Sequence, residues 1–411
     1  MKFEIVDEKK KYDARIKVIG AGGAGGNAIN NMINSKLRGV DFIVSNTDCQ
    51  DLDRSECSYK IQLGPSVTMG LGAGADPEIG EKSAEESVNE IREAVAESDM
   101  VFIAAGMGGG TGTGACPVIA REAKESGALT VAVVTKPFNF EGEKRMKRAT
   151  EGIEKLKAEV DSLIVIPNER LKTLGSKTTT FKDLIMRADE VLLQAVKGIS
   201  DLIISNGFIS LDFADVKKVM EQMGTAIMGM GTASGENRGL EAAQMAINSP
   251  LLEDISINGA KGVLMNIAGP ADMTMDEIDA ASNFIKEEVN KDAEIIWGVV
   301  LDDAMEDEIR ITVIATGIGG NGDSYRQPHV YNNDYLNVVN IRDADNEDTE
   351  EDWTVRMNGV CLDTPTFQRK NEGLLASMNN TEAKKEKKSF FNKFRLKDNL
   401  DYPTFLRAKA D

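Results

Sequence analysis

Short apolar runs alternate with amphipathic helical patterns from Ile16 to about residue 320. The runs are short, and glycine or polar residues bound them, as is typical of buried strands, whereas the longer segments repeat apolar residues at helical spacing. This alternation predicts a parallel sheet with helices on both faces. The predicted strands are Ile16–Ile19, Phe42–Ser45, Ile61–Leu63, Val101–Ala104, Leu129–Thr135, Leu163–Ile166, Glu294–Leu301 and Ile309–Thr316. The predicted helices are Gly25–Ser35, Ile79–Glu97, Ala115–Ser126, Glu143–Glu159, Phe181–Ile204 and Met275–Val289.

The same pattern predicts how the chain is divided. The helix Phe181–Ile204 is long enough to separate two domains, and a second, smaller α/β domain is predicted at about 206–318. After residue 320 the apolar periodicity fades. Seven of the ten residues from Asp343 to Asp352 are acidic, and such a run buries too little to fold, so disorder is predicted there.

Composition removes several classes of protein. Acidic residues outnumber basic ones by 67 to 48, for a net charge of −19, which disfavours a general nucleic-acid binder because phosphate affinity needs a basic surface. The single histidine, His329, lies in a polar region, so a Ser-His-Asp or Cys-His catalytic group is excluded from the folded body. The four cysteines contain no CxxC pair, so neither a zinc site nor a disulfide scaffold is indicated.

The sequence shows no pattern of a signal peptide or of a membrane-spanning helix. Residues 1–15 are too charged for a signal peptide, and no apolar run in the sequence reaches the roughly 18 residues of a membrane span. With the cysteine usage, this leads us to expect a reduced, cytoplasmic compartment.

Three glycine-rich segments follow predicted strands. Gly20–Asn27 contains G-x-G-x-x-G, which alone fits a dinucleotide site, a tight turn without a ligand or a phosphate loop. Gly106–Gly114 has six glycines in nine residues, a backbone suited to an anion nest, and its threonine hydroxyls can bond phosphate oxygens or hydrated Mg²⁺. Gly70–Asp76 is expected to reach a γ-phosphate. Together, and without a GxxxxGK[ST] P-loop, they predict a nucleoside triphosphate site.

The motifs GGAGGNA, GAGADPEIG, GMGGGTGTGACPV, TKPFNFEGEKRM and LDFADV resemble those of the FtsZ family of tubulin-like division GTPases. The match in order and spacing runs from about Ile16 to Gly320, and the ending LDYPTFLRAKAD resembles the family's C-terminal partner-binding peptide. The resemblance implies a tubulin-like α/β fold, and together with the composition of the unmatched linker it predicts a chain in five parts. These are a GTP-binding domain at 1–180, a central core helix at 181–205, a GTPase-activating and assembly domain at 206–320, a disordered linker at 321–398 and the partner-binding peptide at 399–411.

The resemblance also implies the residues that bind GTP or GDP. In the three glycine segments they are Gly22, Gly23, Ala24, Gly25, Gly26, Asn27, Gly72, Ala73, Gly108, Gly109, Gly110, Thr111 and Gly112. Glu141 and Arg145 match ribose-side contacts, and Asn168 and Asp189 match guanine contacts. The chemistry of Asp189 agrees, because a carboxylate accepts two hydrogen bonds from guanine N1–H and N2–H₂, a donor pair that adenine lacks. Without the resemblance, a solvated helix carboxylate is the simpler interpretation of Asp189. Mg²⁺ is expected to be held by the phosphates and water.

Asp212 and Asp215 are the candidate catalytic residues. A helix pattern begins at Asp212, so from the residues alone an N-capped helix without chemistry is the simpler interpretation. In FtsZ-like proteins this loop enters the nucleotide site of the next subunit, where its carboxylates position the attacking water. The resemblance therefore implies that hydrolysis requires head-to-tail assembly, an open interface that builds filaments.

Three positions depart from the family pattern. Ser210 stands where asparagine is usual, Ile185 where many relatives have an aromatic residue that stacks on guanine, and Met69 where lysine is frequent. A slow or non-catalytic filament-forming paralogue is therefore an alternative to an active GTPase, and an NAD-dependent oxidoreductase is the alternative based on G-x-G-x-x-G alone.

The last ninety residues contain patterns typical of binding to partners rather than of catalysis. Residues 362–369 repeat residues 400–407 at six of eight positions, either by coincidence or as a second, weaker docking peptide. The basic block 384–397 interleaves lysines with phenylalanines, as a soluble spacer or a weak membrane-surface segment does. We expect a protein that polymerises into the division ring at the future septum, on the inner face of the membrane, with membrane-tethering and regulatory division proteins bound through 399–411.

Overall fold

The computed structural model describes residues 14–172, 179–204, 212–221, 225–252, 257–302 and 305–318, and the backbone of 356–357 and 360–361. The chain divides into two units, residues 1–330 and 331–411. The strands described in the first unit are β1 Ile16–Ala21, β2 Val40–Asn46, β3 Tyr59–Gln62, β4 Met100–Gly106, β5 Leu129–Lys136, β6 Ser162–Pro167, β7 Thr225–Ser234, β8 Gly262–Gly269, β9 Glu294–Leu301 and β10 Glu308–Ile318. The helices are α1 Gly22–Asn34, α2 Cys49–Arg54, α3 Pro65–Thr68, α4 Pro77–Glu86, α5 Val88–Val95, α6 Thr111–Glu125, α7 Glu143–Glu159, α8 Asn168–Leu171, α9 Phe181–Ile204, α10 Phe213–Met220, α11 Arg238–Ile247 and α12 Met275–Glu288.

These strands form a single sheet in the order β3-β2-β1-β4-β5-β6-β7-β10-β8-β9. Strands β1 to β6 are parallel, as the sequence predicts, and their apolar side chains pack on both faces. The second half of the sheet is mixed, because β10 runs antiparallel to β7 and to β8. The parallel half matters most for function, since the carboxyl ends of its strands share one edge, where ligands of such sheets bind.

Helix α9 joins the two halves of the sheet. It packs against α1 and β5 on one side and against β8 and β9 on the other, and its apolar stripe is buried at Val191, Leu192, Ala195, Ile199 and Leu202. The sheet itself is narrow at this junction, because β6 and β7 pair through only Leu163↔Thr225 and Ile164↔Ala226. The contacts of α9 therefore supply much of the connection between the halves.

The predicted elements are present in the structure, several with shifted bounds, such as β3, which is Tyr59–Gln62 rather than Ile61–Leu63. The bounds predicted for α7, α9 and β9 are confirmed. The single helix predicted at Ile79–Glu97 is wrong. It is divided at Ser87, whose buried hydroxyl donates to the carbonyl of Gln62 at 3.2 Å and accepts from the amide of Gly64 at 3.1 Å. Helix α1 begins at Gly22 rather than Gly25, so the first glycine segment is itself helical.

Arg238, the first residue of α11, is a buried cation held by three carboxylates. Its Nε lies 2.7 Å from Oε1 of Glu277, and its two terminal nitrogens lie 3.0 Å from Asp272 and 2.9 Å from Asp307. Only Glu277 among these acids is largely buried, with 15% of its side chain exposed against 72% and 70% for the others. The guanidinium therefore joins the start of α11 to the start of α12 and to the turn before β10.

Two short strands are described in the second unit, β11 Arg356–Met357 and β12 Val360–Cys361, and they pair antiparallel. They lie within the linker for which the sequence predicts disorder. The disorder prediction rests on composition, which does not register short strand-forming segments such as these.

Candidate functional site

The three glycine segments lie at the carboxyl edge of the parallel sheet. Gly20–Asn27 spans the end of β1 and the start of α1, Gly106–Gly114 the end of β4 and the start of α6, and Gly70–Asp76 follows α3. They contact one another directly. A β-carbon placed on Gly22 would lie 3.0 Å from the amide nitrogen of Gly112, and one placed on Gly110 would lie 2.8 Å from Cβ of Ala73. The structure therefore brings the candidate phosphate residues of all three segments together.

Most glycines of the second segment are explained by this packing, but Gly109 is not. Its φ is not in the left-handed region, and a β-carbon placed there would have no heavy atom within 4 Å. Gly108, its neighbour, has φ +96° and lies against the backbone of Arg145. The space at Gly109 is of the kind that a ligand fills when it approaches bare backbone.

Residues at the end of β2 complete this edge and were missed in the sequence analysis. The Thr47 and Thr111 hydroxyls lie 2.6 Å apart, and the Thr47 carbonyl accepts from the amide of Gly72 at 3.2 Å. Asn46 donates to Asp51 at 2.8 Å, and the Asp51 carboxylate lies 3.1 Å from the position of a β-carbon on Gly23. A polar run directly after a buried strand that pairs with β1 is the signal that would have found them.

Glu141 and Arg145 lie side by side next to the second glycine segment. Arg145 Nε is 3.1 Å from Oε2 of Glu141. The other oxygen of Glu141 accepts from the backbone amide of Phe138 at 2.8 Å, which fixes the carboxylate. Because Gly108 packs against the Arg145 backbone, this ion pair is adjacent to the second glycine segment.

Asp189 and Asn168, the two predicted guanine contacts, differ in burial, since Asp189 is half-buried and Asn168 is buried. Desolvation by burial raises the pKa of the Asp189 carboxyl to about 7. Asn168 begins α8, which packs against α9, and its buried Oδ1 has no hydrogen-bond partner. Buried polar atoms are normally paired, so the Asn168 Oδ1 is available to a ligand that donates a hydrogen bond to it.

Asp212 and Asp215 lie on another part of the molecule. Asp212 is the N-cap of α10 and accepts from the amide of Asp215 at 2.8 Å, as predicted. Both are exposed, and α10 packs against β8 and β9, at the opposite end of the sheet from β1 to β3. The contacts of α10 are thus with the second half of the sheet rather than with the glycine segments.

The three departures from the family pattern have different positions. Ile185 is half-buried on α9, between Phe181 and Asp189. Met69 ends α3 with φ +53° and is 80% exposed. Ser210 lies outside the described residues, as do the basic block 384–397, the repeat 362–369 and the peptide 399–411.

Two family models match the chain. The GTPase domain of the Tubulin/FtsZ family matches residues 15–176, and the C-terminal domain of the FtsZ family matches residues 224–319. Among curated proteins, cell division protein FtsZ of Wolbachia sp is 53% identical over 318 residues, covering 74% of this chain and 80% of the relative. The FtsZ of Bartonella bacilliformis is 57% identical over 304 residues, covering 74% and 51%. The match thus spans between about half and four fifths of these relatives' lengths.

Solved structures agree with the sequence matches. An empty FtsZ dimer of M. jannaschii is 46% identical with a TM-score of 0.73, covering 76% of this chain and 90% of that one. CetZ2 from Haloferax volcanii, solved as a protofilament with GTPγS bound, has a TM-score of 0.63 at 20% identity, which shows a shared fold.

Proposed function

The chain belongs to the FtsZ family, and from this membership we propose that it is a cell-division GTPase that assembles head to tail into protofilaments of the division ring. The observation that carries the nucleotide part is the meeting of three glycine segments at one sheet edge, with open space at Gly109. The family match contradicts the oxidoreductase alternative. A slow or non-catalytic paralogue is the remaining alternative, and steady-state phosphate release from assembled protein separates it from an active enzyme.

In this proposal the chain's own residues bind and orient GTP. Backbone amides of the first and second glycine segments cradle the phosphates, Glu141 and Arg145 contact the ribose, and Asp189 and Asn168 read the guanine edge. The phosphate segments offer hydroxyls such as those of Thr47 and Thr111, with no group of three metal-ligating side chains among the described residues. This donor set suits Mg²⁺ carried by the triphosphate, where the ion neutralises charge on the transferring phosphoryl group.

Gly109→Ala should weaken GTP binding at least about tenfold, or roughly 1.4 kcal/mol, while leaving the free energy of unfolding almost unchanged. The added methyl group has room in the protein but takes the space that we assign to a phosphate. Isothermal titration with GTP and urea unfolding measure the two effects. Gly259→Ala is the matched control, because that glycine also has open space and no left-handed φ. Equal GTP affinity for both variants would remove Gly109 from the phosphate site.

GTP affinity should fall about tenfold between pH 8 and pH 6. Guanine donors bind the ionised form of Asp189, whose pKa in the free protein is about 7. Binding is therefore full above pH 7 and weakens as the carboxyl takes up a proton below it. Titration calorimetry at both pH values measures the change, and Asp189→Asn should make the profile flat. A profile equally steep in Asp189→Asn would assign the proton to another group.

We further propose that residues 399–411 bind membrane-tethering and regulatory division proteins, and that the filament lies on the inner face of the membrane at the division site. The support is the sequence of the peptide and of its partial repeat at 362–369. Deleting 399–411 should weaken partner binding without abolishing it, and adding Phe367→Ala should remove the remainder, because an aromatic side chain is the usual anchor of a short peptide. Binding of the four chains to a tail partner tests both peptides. No effect of Phe367→Ala in either background would leave 362–369 as spacer.

A further inference from the structure

Glu86, the last residue of α4, holds the start of the neighbouring short helix α3. Its Oε1 accepts from the backbone amide of Ser66 at 3.1 Å, and its Oε2 accepts from that of Val67 at 3.1 Å. The first amides of a helix have no partner within the helix, and Gly64, the N-cap of α3, has no side chain to offer them. Glu86 therefore does the work of an N-cap from a different helix.

The negative charge of Glu86 is part of this contact. Hydrogen bonds from the side chain of Ser66 and from the amides of Ser66 and Val67 lower the pKa of the Glu86 carboxyl. Hydrogen bonds to an ionised acceptor are stronger than those between neutral groups. A glutamine at this position has one acceptor oxygen, and its NH₂ group only donates. Holding both amides of α3 therefore requires the carboxylate.

Helix α3 leads directly into Gly70–Asp76, the third glycine segment, whose path depends on contacts from outside it. Met69, directly before the segment, and Ala75 within it have φ of +53° and +60°. Residues other than glycine rarely adopt this conformation and keep it only where the surrounding structure imposes it. The carbonyl of Thr47 holds the middle of the segment by accepting from the amide of Gly72 at 3.2 Å. The beginning of the segment is held through α3.

Helix α4, which carries Glu86, is itself fixed on the second glycine segment. A β-carbon placed on Gly80 would overlap the carbonyl oxygen of Gly110, and one placed on Gly114 would overlap that of Pro77. The two backbones approach this closely because neither glycine has a side chain. Glu86 therefore connects a helix packed on the second glycine segment to the helix that leads into the third.

We propose that Glu86 is a positioning residue for the terminal phosphate of the bound nucleotide. From α4 it holds α3, and through α3 it keeps the third glycine segment where that segment can reach a γ-phosphate. The inference rests on the proposed function and deepens it, because it names a residue that favours GTP over GDP without contacting either. The phosphates that GTP and GDP share are bound by the first and second segments, so the loss of Glu86 affects the γ-phosphate alone.

The test compares GDP with a GTP analogue that has a methylene group between its β- and γ-phosphates and is not hydrolysed. Titration calorimetry on the full-length chain, below the concentration at which it assembles, gives both affinities. Glu86→Ala should weaken binding of the analogue about fivefold or more, the lower end of the usual coupling between distant groups, and leave GDP binding unchanged. Glu86→Gln should have a smaller effect in the same direction, because it keeps an acceptor for one of the two amides.

Glu85, the adjacent exposed acid of α4, provides the matched control. Glu85→Ala and Glu85→Gln remove the same charge one residue away and should change the affinity for neither ligand. Urea unfolding of the same samples shows whether each variant is folded. Glu86→Gln keeps the shape of the side chain, so it decides the question if Glu86→Ala does not fold.

The outcomes separate this inference from the function on which it rests. A parent chain that binds neither nucleotide overturns both. A parent chain that binds both, with the preference for the GTP analogue over GDP unchanged in the Glu86 variants, overturns the inference alone. An equal change in the Glu85 variants also overturns it, because charge at this end of α4 would then be the cause. If the Glu86 variants change only the association of filaments, Glu86 contacts a second copy of the chain and the inference is wrong.

Discussion

Replacing Asp212 or Asp215 with asparagine should reduce GTP hydrolysis roughly 100-fold or more while GTP binding is unchanged. The loss is that of a group that orients or activates the attacking water. Binding persists because the proposed site receives these acids from the neighbouring subunit. Asparagine is the replacement of choice, since at Asp212 it keeps an oxygen that can accept from the amide of residue 215 and so preserves the cap of α10. Phosphate release and GTP titration on the same samples measure the two effects.

Mixing this variant with a nucleotide-site variant is the sharper test of a shared site. In an equal mixture of Asp212→Asn and Gly109→Ala chains that assemble at random, about a quarter of the interfaces pair an intact nucleotide site with intact acids. At a GTP concentration near the Kd of the parent chain, where Gly109→Ala is mostly empty, hydrolysis by the mixture should exceed the mean of the two variants measured separately. If assembly of both chains is confirmed and hydrolysis does not rise, the acids act within their own subunit or not at all. Glu221→Gln, a change at the other end of α10, is the matched control and should leave GTP hydrolysis unchanged.

Arg238→Ala should lower the free energy of unfolding by about 1.5–3 kcal/mol, because the mostly buried Glu277 carboxylate loses its cation and keeps only the hydrogen bonds from Thr274. Urea unfolding of the full chain measures the loss. Asp272→Asn and Asp307→Asn break ion pairs of similar length to carboxylates that are mostly exposed, so each should cost less than about 1 kcal/mol. The double variant Arg238→Met with Glu277→Leu should recover much of the stability, since it removes both charges. Equal losses for Arg238→Ala and Asp272→Asn would show that burial of Glu277 is not the cause.

Much of the fold could be predicted because its signals are local. The apolar stripe of α9 repeats at helical spacing over 24 residues, and the strands of the parallel half are short apolar runs. The break at Ser87 could not be predicted in this way, because it depends on hydrogen bonds to Gln62 and Gly64 on a distant segment. The mixed second half was equally hidden, since strand direction depends on how β7 to β10 are connected in space.

In the candidate site, too, features with a local sequence signal could be predicted, and features that depend on contacts between distant segments could not. The three glycine segments could be picked out as candidates because glycine at this density is rare without a need for bare backbone, and the structure brings them together. Thr47 and Asp51 were missed because a polar run after β2 acquires meaning only when β2 is placed beside β1. The open space at Gly109 and the unpaired Oδ1 of Asn168 depend on how distant segments pack, and no sequence pattern reports that.

The glycine segments and the acids of α10 are on opposite halves of one sheet, and in the proposed filament this fixes how active sites are counted. A filament of n subunits contains n−1 complete sites, so an isolated subunit has none and a pair has one. Specific activity therefore rises with average filament length and levels off as the ends become a small fraction of the whole. The two ends also differ chemically. One terminal subunit presents a nucleotide that no neighbour can hydrolyse, and the other presents acids with no nucleotide to act on.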